Sequence, residues 1–259
     1  MSDDENQGTN TDIVGKKIFF LYPSNAMMVQ IIPELIQQEY EVYIVKDHAR
    51  LPRVLKRYKE TVVFINIDEG QPEAEWEKWM ETVSNATPGT LFGIFSSNSS
   101  DDLKDKYVNK LKVSCGYMAL KHDMSKAGES VQEILKVLNI KGRRKYLRAS
   151  PDRDTIATIN IPYGNDYVNG TLRDISTVGF SCILTNNPEI PKNMLQKDIQ
   201  LKLQSMLLKV EGVVFGSRTE GPDKIYVFLF TQKVDSDVRS RIRKYIQQTL
   251  QGRMDNEMA

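Results

Sequence analysis

The chain has 259 residues, 35 of them basic and 34 acidic, for a formal net charge of +1, and 40% of its residues are hydrophobic. Near-neutral charge argues against bulk coating of nucleic acid, so any basic site must be local. Two cysteines, Cys115 and Cys182, sit far apart in separate apolar runs, which excludes a disulfide framework or a metal-ligand spacing and leaves two small buried side chains.

The opening "MSDDENQGTNTD" is polar and acidic, with neither a basic n-region nor an apolar h-region. No apolar run approaches the roughly 18 residues of a membrane helix, so the expectation is a cytoplasmic protein with no membrane insertion. Residues 1–14 and the short tail 253–259, "RMDNEMA", are expected to be disordered. Between 15 and 140, apolar strand-like runs alternate with helical stretches. "KIFFLY" precedes "NAMMVQIIPELIQQ", and "EVYIV" precedes "ARLPRVLKRY". "TVVFINI" precedes "EAEWEKWMETV", "TLFGIFS" precedes "DDLKDKYVNKL", and "CGYMAL" precedes "AGESVQEILKVL". Five such repeats predict an α/β domain with a parallel sheet covered on both faces.

From 141 to 252 the pattern changes. "TIATINI", "VNGTLRDIS", "GFSCILT", "DIQLKL", "MLLKVEGVVFG" and "KIYVFLF" are short strands separated by turn clusters such as "PYGND" and "RTEGPD". That density predicts an all-β domain, an antiparallel barrel or sandwich. "DSDVRSRIRKYIQQTL" then reads as an amphipathic helix. Val238, Ile242, Tyr245, Ile246 and Leu250 form its apolar stripe, and Asp235 or Ser236 is its cap.

Two motifs carry chemistry. The junction "GRRKYLRAS" holds Arg144 and Arg148 in an RxxxR spacing, with Arg143 just before. Guanidiniums donate bidentately to phosphate oxygens and stack on flat rings, although such a run also serves as a solvated linker. "RDISTVGF" holds Asp174, Ser176 and Gly179 as DxSxxG. Alternation puts Asp174 and Ser176 on one side of a strand and turns Arg173 away. A carboxylate accepts from a base edge rich in N–H donors, a hydroxyl gives or takes, and a glycine permits close backbone approach. Alone, this segment reads equally as a strand end with a turn glycine.

In this order, roughly 25 residues apart, RxxxR and DxSxxG resemble the PilZ domain family, which binds the second messenger cyclic di-GMP. The resemblance covers about 141–252. It implies a six-stranded antiparallel β-barrel closed by the terminal helix. It also implies that Arg144 and Arg148 hold phosphates and stack on guanine, that Asp174 and Ser176 read guanine edges, and that Gly179 lets the strand approach the ligand. Arg143 stands where a long cation favours an intercalated pair of ligands. One departure is "IYVFLF", where many members carry a glycine in the last strand. The ligand would order the junction, so the resemblance implies a non-catalytic receptor with no cofactor that signals through a protein partner.

The βα repeats of 15–140 resemble a receiver domain lacking its phosphorylation chemistry. "LYPSNA" supplies no acidic pair after the first strand, and Asn66 stands at the end of the third strand, with Asp68 two residues on. Ser96, Ser97 and Lys121 match the hydroxyl and lysine positions but serve equally well as loop residues. Without carboxylates Mg²⁺ has few hard ligands, so a docking role is expected in place of phosphoryl transfer. His48 and His122 stand in no triad or metal spacing, and no Walker or GxSxG motif occurs, so no enzyme is expected. For the first domain, a divergent α/β domain of unrelated origin is the alternative, and for the function two alternatives remain. One is a nucleic-acid-binding regulator using the basic junction and terminal helix. The other is a response regulator phosphorylated on Asp68.

Overall fold

A computed structural model describes residues 15–58, 60–120, 124–142, 144–151 and 157–259. The expected disorder of 1–14 falls outside them. The chain divides into two compact units. The first runs to Lys145 and takes in Arg253–Ala259, and the second spans Tyr146–Gly252.

The first unit is doubly wound. Its strands are β1 (Lys17–Leu21), β2 (Val42–Val45), β3 (Thr61–Asn66), β4 (Thr90–Ser96) and β5 (Tyr117–Ala119). They form one parallel sheet in the order β2-β1-β3-β4-β5. Every residue of β3 is buried, as a central strand covered on both faces requires. The helical stretches are α1 (Asn25–Gln30), α2 (Ile32–Gln37), α3 (Leu51–Leu55), α4 (Glu73–Ala86), α5 (Asp101–Asp105) and α6 (Met124–Val137). The first predicted helix is broken in two because Pro33 cannot donate and so begins a new helix. Ser24 caps α1, its Oγ accepting from Met27 N. Pro52 sits in the first turn of α3, where its missing N–H costs nothing. A π-helical turn, Lys106–Lys110, extends α5.

The second unit is a closed barrel of β6 (Ala157–Tyr163), β7 (Asp166–Ser176), β8 (Gly179–Leu184), β9 (Leu195–Leu203), β10 (Met206–Glu220) and β11 (Asp223–Phe230). Its order is β10-β11-β8-β7-β6-β9, antiparallel throughout. Closure leaves no edge to cover. Phe180 and Phe228 stack inside it with centroids 4.9 Å apart. Helix α7 (Ser236–Met258) adds Ile242, Tyr245 and Ile246 to that core. Asp235 is its cap, its Oδ1 accepting from Asp237 N at 2.7 Å.

The expected disorder of 253–259 is overturned, because α7 continues to Met258. Met254 and Met258, one turn apart, are buried. Glu257 accepts a hydrogen bond from Tyr58 Oη at 2.9 Å and pairs with Arg57 at 3.2 Å, both in the first unit with it. The two methionines were the apolar signal hidden in a polar tail. Both cysteines are free and buried, and burial pushes the Cys115 thiol up to about 12. No helix among the described residues is long and apolar enough to cross a membrane.

Candidate functional site on the outer face of the barrel

The two motifs meet through backbone pairing. Ala149 and Ile175 form an antiparallel bridge, with Ala149 N to Ile175 O at 3.0 Å and Ile175 N to Ala149 O at 2.9 Å. Both side chains are fully buried in the barrel core. Alternation therefore turns their neighbours Arg148, Asp174 and Ser176 to the opposite, outer side. Arg148 Nη1 lies 3.7 Å from Asp174 Oδ1. With side-chain exposures of 55% and 28%, this is a loose surface pair that contributes little stability by itself.

A bulge sharpens the aim of Asp174. The β7–β8 register shifts between Leu172 and Asp174, leaving Arg173 without a cross-strand partner. Leu172 and Ile175 both face the core although they are three residues apart, so Arg173 and Asp174 both lie on the outer side. The expectation that Arg173 turns away from Asp174 assumed unbroken alternation and is corrected here. Arg173 pairs with Glu220 at 3.1 Å.

Across the ladder from Asp174 stands Ser181, whose Oγ donates to Asp174 Oδ2 at 2.5 Å. Sequence reasoning missed this residue. Its signal was positional, since a tight hairpin after DxSxxG brings the second residue past the glycine opposite the aspartate.

Ser176 and Gly179 shape the turn. Ser176 Oγ donates to Gly179 O at 3.1 Å and accepts from Val178 N at 3.4 Å, and the residue is 5% exposed. Gly179 is not in a positive-φ conformation. Its requirement is space, because a Cβ there would stand 2.2 Å from the Phe228 carbonyl oxygen of β11. Here the close approach that glycine permits is made by a neighbouring strand. Arg144 is exposed and belongs to the first unit, on the other side of the division from Arg148. Arg143 lies outside the described residues. The structure thus gathers Arg148, Asp174, Ser176 and Gly179 of the six candidates, and adds Ser181.

Open sheets of this strand order carry ligands in the crevice between β1 and β3. In the first unit the residues at these strand ends are hydrogen-bonded to one another. Asn66 Nδ2 donates to Tyr22 O at 3.0 Å, and Asp68 N donates to Asn66 Oδ1 at 3.3 Å. The Asp68 carboxylate accepts from Ser96 Oγ and from Ser97 N, each at 2.6 Å. Tyr22 packs edge-on to Trp76, with centroids 6.0 Å apart, and its ring occupies the space a side chain at residue 70 would need, which Gly70 leaves open. Lys121 and His122 lie outside the described residues. His48 packs against Trp76 and shares a hydrogen bond with Tyr22 Oη at 2.9 Å.

No family model and no curated protein matches the chain. Among solved structures it is similar to YcgR in complex with c-di-GMP from Escherichia coli, at 16% identity and a TM-score of 0.40, over 45% of this chain and 50% of that one. It is similar to the K. pneumonia MrkH–c-di-GMP complex at 17% identity and a TM-score of 0.41, over 45% and 57%. It is also similar to a response regulator from Thermotoga maritima at 19% identity and a TM-score of 0.38, over 48% and 99%. The chain spans about half the length of the first two. At these identities and scores the likenesses assign no ligand or activity. What stands plainly is a chain that joins a parallel α/β unit of 2-1-3-4-5 order to a closed six-stranded barrel with a terminal helix.

Proposed function

We propose that the barrel's outer face is a receptor site for cyclic di-GMP and that the protein is a non-catalytic effector of the PilZ type. The observation that carries this reading is the Ala149–Ile175 bridge, which sets the second arginine of RxxxR beside the aspartate of DxSxxG. Ligand chemistry fits the pair. A phosphate is a stronger partner for Arg148 than a loose carboxylate contact. Once Arg148 turns to the phosphate, Asp174 Oδ1 is freed to accept from guanine N1 and N2 donors while Ser181 keeps holding Oδ2. Arg144 and Arg143, just before Arg148 in the chain, supply further positive charge for the ligand's phosphates. Charge-assisted hydrogen bonds of about 1.5–3 kcal/mol each and stacking of about 1–3 kcal/mol per base suffice for micromolar affinity.

The first unit is a docking module for a protein partner. Among the described residues its crevice holds Asp68, each of whose oxygens already accepts one hydrogen bond from Ser96 or Ser97. Isothermal titration of the full chain with cyclic di-GMP tests the reading. The wild type binds with a Kd of about micromolar or below, and Arg144→Ala, Arg148→Ala and Asp174→Ala each weaken binding by at least about tenfold. No heat of binding in the wild type, or unchanged affinity in all three variants, overturns it.

A further inference from the structure

A guanidinium outside the RxxxR and DxSxxG motifs grips the motif turn from behind. Arg239 lies in the first turn of α7, three residues before Ile242 and seven before Ile246, which are both in the barrel core. That spacing places it on the barrel-facing edge of the helix. Its Nη1 donates to the Thr177 carbonyl at 2.7 Å and its Nη2 to the Thr231 carbonyl at 2.8 Å. Thr177 is one of the two residues between Ser176 and Gly179, and Thr231 follows the last residue of β11. The other turn residue is tied to the same strand end, with Phe230 N donating to Val178 O at 2.9 Å. A rigid fork of donors can hold two carbonyls at once, which a lysine ammonium on a flexible stem does poorly.

We propose that Arg239 is a positioning residue for the ligand face. By clamping the β7–β8 turn to α7, it fixes the hairpin ends at which Ser176 shapes the turn and Ser181 holds Asp174 on the ligand face. The coupling is reciprocal, so a ligand that shifts the turn also bears on the start of α7. The proposal rests on the cyclic di-GMP reading for its ligand but not for its clamp, and two measurements on the full chain keep these apart.

Amide hydrogen exchange of the free protein reads the clamp, and isothermal titration with cyclic di-GMP reads its consequence. In Arg239→Gln, the Phe230 amide exchanges at least about tenfold faster and affinity falls about tenfold. Arg239→Lys, which keeps one of the two contacts and serves if the glutamine variant fails to fold, loses about threefold. Thr231→Val removes the Thr231 hydroxyl bond to Glu211 and keeps the carbonyl that Arg239 grips, so it stays within about twofold of wild type in affinity. Wild-type exchange and affinity in the Arg239 variants overturn the proposal, as does an equal loss in Thr231→Val, which would reduce Arg239 to general barrel stability. A wild type that binds no cyclic di-GMP defeats the functional reading, and the exchange measurement still decides whether the clamp exists.

Discussion

Two aspartates, Asp68 and Asp174, each lie near the end of a strand with a serine hydroxyl donating to one carboxylate oxygen. They differ in what holds the other oxygen. For Asp68 it is the Ser97 backbone N–H at 2.6 Å, so each oxygen is held by a neutral donor that belongs to the fold. For Asp174 it is Arg148 at 3.7 Å, a cation on an exposed stem. The first arrangement ties the carboxylate to neighbouring loop residues, and the second leaves it beside an exposed cation on a surface. Residue types shared by two sites say little about function, whereas the partner of the last oxygen says much.

Substitutions can break this contrast, and the largest effect belongs to Gly179→Ala. A Cβ 2.2 Å from a backbone carbonyl cannot be absorbed by rotamer change, so β8 and β11 must part. Chemical denaturation should show a loss of about 3 kcal/mol or more. Asp174→Ala comes next, with affinity for cyclic di-GMP falling by about 2 kcal/mol in titration, and because it strands the buried Ser181 hydroxyl it also costs about 1–2 kcal/mol in denaturation, although its ion pair is exposed. Asp68→Ala should match it in stability and differ in binding. It strands the Ser96 hydroxyl and costs about 1–2 kcal/mol in denaturation while leaving titration with cyclic di-GMP unchanged. Ser181→Ala frees Asp174 from its cross-strand anchor and should weaken binding by about 1 kcal/mol. Smallest is Tyr58→Phe, which removes the hydrogen bond to Glu257 and lowers stability by about 0.5–1 kcal/mol.

Much of this architecture was legible from periodicity. The alternation of buried strands and helices over 15–140 and the dense short strands thereafter correspond to the parallel sheet and the barrel. Local chemistry placed the boundaries well where it was explicit, as at Asp235 before α7. Legibility failed where one residue changes the count. Arg173 is the extra residue of a bulge, and no propensity in "TLRDIS" announces it, so alternation was carried one residue too far. The packing demand on Gly179 was also hidden, because a clash with Phe228, 49 positions away, is a property of the closed barrel. The tail after Gly252 looked disordered because two methionines in a polar run, Met254 and Met258, do not announce their burial.

The sharpest test of the contrast is an amide chemical-shift titration of the isotope-labelled full chain with cyclic di-GMP. Resonances of Ala149, Asp174, Gly179 and Ser181 should move together and saturate, while those of Tyr22, Asp68 and Ser97 stay in place. Saturable shifts confined to Tyr22, Asp68 and Ser97, with the barrel face unmoved, would contradict the assignment of the site.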